Sequence, residues 1–196
     1  MLHIEGIVYP TQANGPGKRI LVAVRGCSLQ CPGCVNKHLW DRTLGGRYVD
    51  PAKFVDELLK TTGLSREDAT NVGLTISGAE PLDQAAALFI LLVQAALTFR
   101  DIIVFSGYTI EEIEEDALKS SCLAWLDAII TNRYLREQHA TQGLKGSANQ
   151  EIIVNPYRNK LTLQELEDFE HVVEIHPIGV ITGFPSKEEE EACQHS

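Results

Sequence analysis

Short runs of β-branched and apolar residues recur along this chain at strand length, separated by stretches that carry helix signals. The runs are RILVAV (19–24), VGLTIS (72–77), IIVFS (102–106), AIIT (128–131), EIIV (151–154), VVEI (172–175) and GVIT (179–182). HIEGIVY (3–9) reads as an additional N-terminal edge strand. Strands joined by helical crossovers lie parallel, so this rhythm predicts an α/β protein with a mostly parallel sheet. Open doubly wound sheets and barrels both fit such a series. A complete eight-fold barrel takes about 250 residues, and this chain has 196. The economical expectation is a partial, curved (β/α) barrel.

Helix signals support the rhythm. In DPAKFVDELLKTTG, Asp50 reads as an N-cap, Pro51 as the first helical residue and Gly63 as the stop, with Phe54, Val55, Leu58 and Leu59 on one face. Thr109 and Thr162 each open a capping box, a hydroxyl followed three residues later by Glu. AAALFILLV (85–93) is too short to span a bilayer and reads as a buried helix. No repeat or linker divides the chain. The expectation is one domain over 1–185, with the acidic SKEEEEACQHS (186–196) as a solvated tail.

Composition narrows the function classes. The formal charge of −10 argues against a nucleic-acid surface, which needs clustered Lys and Arg. The beginning of the chain, MLHIEGIVYP, carries no basic region, long apolar segment or cleavage site. Five cysteines in a chain of this size do not make a disulfide scaffold. The expected home is the reducing cytoplasm, with no membrane partner.

Three cysteines crowd one loop, RGCSLQCPGCVN: Cys27, Cys31 and Cys34. A structural zinc site closes with four ligands, and here only His38 stands near enough in sequence to complete one. A disulfide leaves one thiol over. Iron–sulfur clusters take cysteine thiolates at such close spacings, and three of them leave a fourth iron open to a small molecule. The open cluster is the reading these residues favour, with zinc as the alternative.

C-x3-C-x2-C is also the signature of the radical S-adenosylmethionine (SAM) superfamily, and the segment resembles it fully. The resemblance implies a [4Fe–4S] cluster on Cys27, Cys31 and Cys34 and a partial barrel of the radical SAM type. It further implies SAM bound at the fourth iron and cleaved by one electron to methionine and a 5′-deoxyadenosyl radical. TISGAEPL (75–82) resembles the superfamily's Gly-Gly-Glu-Pro motif, with Ala79 in place of the second glycine. Ser77, Gly78, Ala79 and Glu80 are then expected to hold the methionyl end. Ser106, in VFSGYTIEE, and Thr131 and Asn132, in DAIITN, are candidates for ribose or methionyl contacts, and Gly107 is expected to let the chain pass the cofactor closely. All four loops follow the carboxyl ends of predicted strands, the edge at which barrels and open α/β sheets bind ligands.

GCSLQCPGCVNKHLWD, SGAEPL, FSGYT, LKGSANQEI (144–152) and GVITGFP (179–185) together resemble the activating components of anaerobic (class III) ribonucleotide reductases. Gly33 before the third cysteine suits that group. The resemblance implies an oxidoreductase that takes a hydrogen atom from a glycine of a partner reductase. A flavodoxin- or ferredoxin-type protein would donate the electron. The chain departs from many such activators at Thr131 and Asn132, where they carry an Asp. Radical chemistry on a peptide or small molecule, and a non-catalytic metal or iron–sulfur module, are the competing readings. Trp40, Asn36, Tyr108, Arg133 and Arg136 have ordinary packing, capping or solvation roles available, and the histidines other than His38 show no ligand spacing.

Overall fold

The computed structural model describes residues 1–140, 142–175 and 181–185. In chain order the elements are β1 (Leu2–Thr11), β2 (Arg19–Val24), β3 (Arg47–Val49), α1 (Phe54–Thr62), α2 (Arg66–Ala69), β4 (Gly73–Gly78), α3 (Ala85–Ala95) and β5 (Ile102–Phe105). They continue with α4 (Ile110–Glu114), α5 (Ala117–Leu123), β6 (Ala128–Thr131), β7 (Glu151–Val154), α6 (Leu163–Glu167), β8 (Glu174–Ile175) and β9 (Ile181–Thr182).

Seven strands form one open sheet in the order β3-β1-β2-β4-β5-β6-β7. The middle four run parallel, with Val22 opposite Ile76, Ile76 opposite Val104 and Val104 opposite Ile129. Each step between them is a crossover carrying helices, as the rhythm predicts. The flanks are antiparallel. β1 and β2 are joined by the short segment 12–18, a hairpin, and among its described residues the segment from β6 to β7 carries only the 3-10 turn Arg136–Gln138. Neither connection supplies the covering helix that a parallel return needs. The sheet is therefore mixed around a parallel centre.

Alternation along the parallel strands divides the residues between two faces. Ile20, Val22, Val24, Leu74, Ile76, Ile102 and Val104 pack with Phe54, Val55 and Leu58 of α1 and with Leu88, Leu91 and Leu92 of α3. Full burial of each such leucine stabilises the fold by about 1.5–3 kcal/mol. Ile103, Ala128 and Ile130 point the other way and meet Leu144, Leu161 and Leu166. Cys122 on α5 is sealed in the helix-covered face, its Sγ 3.6 Å from the Ala85 carbonyl.

Several expectations shift. β1 is interior to the sheet, and the three-residue β3 takes the edge. α1 starts at Phe54 because Asp50 and Pro51 close a separate turn, in which Ala52 N donates to Asp50 Oδ1 at 3.0 Å and Lys53 N to Asp50 O at 3.0 Å. Gly63 ends the helix in the left-handed conformation, and both capping boxes form. β8 and β9 pair with each other outside the main sheet. Residues 179–180 of the last expected strand, and the tail 186–196, lie outside the described residues.

Candidate metal centre

Parallel alignment brings the ends of β2, β4, β5 and β6 to one edge, so the four following loops converge. The loop after β2 is pinned at its base, where Gly26 N donates to Leu39 O at 2.8 Å and Cys27 N to Trp40 O at 3.1 Å. A tight turn brings Cys34 N onto Cys31 O at 3.2 Å. Gly33 sits there at φ 80°, and a Cβ would lie 2.8 Å from the Cβ of Arg136, so glycine lets the loop after β6 pack against the thiol loop. Cys27, Cys31 and Cys34 are unbridged and half-buried. Burial raises the pKa of the Cys27 and Cys31 thiols, and the Cys34 sulfur raises that of Cys31 further. The backbone N–H of Tyr134 and the charge of Arg133 act in the opposite direction on Cys31.

The turn after β4 is tied to the same loop, with Ala79 N on Val24 O at 3.1 Å and Glu80 N on Gly26 O at 3.2 Å. Gly78 has φ 105°, and a Cβ there would come within 2.8 Å of the Val24 backbone. Ala79 is not among the described residues of positive φ, so alanine fits where the superfamily pattern has glycine. Glu80 is buried and accepts three hydrogen bonds, from Leu82 N at 2.9 Å, Ser106 Oγ at 2.9 Å and Gly107 N at 2.7 Å. Burial pushes its carboxyl up to about 7 in spite of those donors.

The loop after β6 is braced by the GSANQ segment. Asn132, at φ 76°, donates from Nδ2 to Asn149 O at 3.0 Å. Asn149 Nδ2 donates to Arg133 O at 2.9 Å, and Gln150 Nε2 to Asn132 O at 3.0 Å.

One cavity runs along the sheet face away from α1 and α3, past Leu21, Ala23 and Phe105. All three thiols line it, as do Ser77, Gly78, Ala79, Glu80, Gly107 and Asn132. The structure thus brings most of the expected residues together. Gly33, Ser106 and Thr131 are not among the lining residues. Gly33 faces Arg136, Ser106 is committed to Glu80, and Thr131 is buried with no hydrogen-bond partner on its hydroxyl. His38 is exposed and outside the lining, which leaves the three-thiol loop without the nearby fourth ligand that zinc requires. Among the described residues no three Cys, His, Asp or Glu side chains converge on a single ion. A cluster gives each thiolate its own iron, so the donor set fits that group.

Sequence reading missed Asn14. It lies in the loop before β2, at the opposite end of that strand from Cys27, and lines the cavity. Thr75 Oγ1 donates to its carbonyl at 2.9 Å, while its own buried side-chain oxygen has no partner. Only an unpaired polar atom inside a cavity reveals such a residue, and no spacing in the sequence encodes it.

A three-thiol loop at the carboxyl edge of an α/β sheet is the frame of a single-cluster iron–sulfur protein. The model of the family described as 4Fe-4S single cluster domain matches residues 13–153, and the chain belongs to that family. Several of its relatives carry a more particular name, anaerobic ribonucleoside-triphosphate reductase-activating protein. The relative from Vibrio cholerae is 35% identical over 153 residues, covering 74% of this chain and 93% of that protein. The one from Pasteurella multocida is 33% identical over 153 residues, covering 74% and 92%. A pyruvate formate-lyase-activating enzyme from Staphylococcus aureus is 33% identical over 82 residues, covering 42% of this chain and 32% of that enzyme.

Proposed function

We propose that this chain is a radical SAM enzyme that installs a glycyl radical on an anaerobic ribonucleotide reductase. The observation that carries the reading is the shared cavity of three thiols and the Ser77–Glu80 turn. The names of the relatives point to the same partner class. In this reading the open seven-stranded sheet is the partial barrel of the radical SAM type, and residues 1–185 are one domain.

Cys27, Cys31 and Cys34 hold a [4Fe–4S] cluster, binding as thiolates. When bound, the reduced cluster supplies one-electron cleavage of SAM, the source of a hydrogen-abstracting radical. The Ser77–Ala79 backbone and the cavity side of Glu80 meet the methionyl end. Ser106 and Gly107 act through Glu80 by fixing its carboxylate. Asn132 lines the same cavity and would meet the ribose or the methionyl end, while Thr131 is buried outside the lining. At the far end of the cavity the buried Asn14 Oδ1 has no partner and can accept an N–H or O–H donor from a bound group. The electron donor is of the flavodoxin or ferredoxin type, and the enzyme works in the cytoplasm. Among the described residues no helix is long and apolar enough to cross a membrane.

Anaerobic reconstitution tests the reading. It requires about four irons and four sulfides per chain, a reduced-cluster EPR signal altered by SAM, and release of 5′-deoxyadenosine. A glycyl-radical doublet on the cognate reductase then identifies the partner. Stoichiometric zinc without SAM cleavage would overturn it, and turnover of a free small molecule in place of the doublet would replace the substrate.

A further inference from the structure

Tyr108 touches every loop of the site edge. Its hydroxyl donates to Asp83 Oδ1 at 2.7 Å and lies 3.1 Å from Ser28 Oγ. Asp83 also accepts the Ser28 backbone N–H at 2.6 Å and the Ser28 hydroxyl at 2.9 Å. Ser28 directly follows Cys27, so a continuous chain of bonds runs from the loop after β5 to the first thiol. The Tyr108 carbonyl accepts Asn132 N at 2.9 Å, and its N–H donates to Ser106 Oγ at 3.1 Å, the hydroxyl that serves Glu80. Its ring is flanked by Lys119 Nζ at 4.1 Å and the Arg133 guanidinium at 5.7 Å.

We propose that Tyr108, acting through Asp83, is a positioning residue that holds Cys27 in register with the Ser77–Glu80 turn. It thereby sets the geometry in which the cluster meets SAM. This rests on the radical SAM reading of the same site. Asp83 is a carboxylate at the rim of the site that accepts the tyrosine hydroxyl together with both Ser28 donors. Removing the hydroxyl withdraws one bond from the charge that fixes Ser28 and leaves the thiol loop looser at Cys27. Sites of this kind lose function when supporting bonds let the reacting groups drift by about 1 Å.

The test compares the wild type with Tyr108→Phe, Asp83→Asn and the double variant, each reconstituted anaerobically. Phenylalanine keeps the ring and its contacts with the two cations. Iron content and thermal melting report the fold and the cluster, while the SAM-dependent change in the reduced-cluster EPR spectrum reports the geometry. Expected are wild-type iron and a melting shift of no more than about 6 °C, with about tenfold more SAM needed for half of the spectral change, as for loss of one hydrogen bond to a charged group. The double variant should be no worse than the worse single one, because both act through one chain of bonds. An unchanged SAM requirement in Tyr108→Phe overturns the proposal. So do loss of iron from that variant and effects that multiply in the double variant. If the wild type itself shows no SAM-dependent change, the radical SAM reading falls and this inference with it.

Discussion

Glu80 carries a pH dependence that can be read without cofactor. Burial raises its carboxyl from 4.5 to about 7, so the folded state binds a proton more tightly than the unfolded chain. The stabilisation is fully present below the unfolded value and is lost as pH rises through about 7. At about 1.4 kcal/mol per tenfold change in proton affinity, the contribution is about 3 kcal/mol. Urea unfolding of the cluster-free protein should show stability falling between pH 4.5 and 7. In Glu80→Gln this part of the slope should vanish. Two neighbours separate backbone from side-chain effects. Gly78→Ala forces a Cβ onto the Val24 backbone at positive φ, so it should cost about 2 kcal/mol or more in the same unfolding assay. Ala79→Gly relieves no strain and should change stability by less than about 1 kcal/mol. The thiol triplet and SGAEP were legible because each is a contiguous motif. The Ser28–Asp83–Tyr108 clasp was not, since its members lie 55 and 80 positions from Ser28 and meet only after folding.

At the scale of elements, β2 is the strand on which the site depends, because it carries the thiol loop at one end and the Asn14 loop at the other. Its first residue, Arg19, is fully buried and paired with Asp101 at 2.6 Å. Arg19 Nε also donates to Thr75 Oγ1 at 2.7 Å, the hydroxyl that holds the Asn14 carbonyl. Asp101 also holds Arg100 Nε at 2.6 Å, so it keeps a partner without Arg19, whereas Asp101→Asn strands the buried Arg19 charge and should lower the unfolding free energy by about 3–5 kcal/mol in urea. Strands and capping boxes were legible because their signals are local: β-branched runs, and a hydroxyl three residues before a Glu. What escaped were elements whose signal is ambiguous or short. Asp50–Pro51 carries the same residues whether it opens a helix or closes a turn, and three residues of β3 are too few to show alternation. The antiparallel flanks were hidden for another reason. Strand direction depends on whether a connection builds a covering helix, and the runs themselves do not record it.

For the whole molecule, the two apolar clusters and the thiol loop are separate structures. None of Cys27, Cys31 or Cys34 belongs to either cluster. Stability and cofactor binding should therefore come apart. A Cys27→Ser, Cys31→Ser, Cys34→Ser variant is expected to lose iron to background while keeping its far-UV circular dichroism and a cooperative unfolding transition. The remaining described thiol behaves in the opposite way. Cys122 lies in the seam between α3 and α5, and burial pushes its thiol up to about 12. An alkylating reagent at neutral pH meets neither an accessible sulfur nor a thiolate there. Its modification, followed by mass spectrometry against denaturant, should begin only when that seam opens. The chain thus has a built-in gauge of global opening, deaf to the oxygen damage that the thiol loop is exposed to.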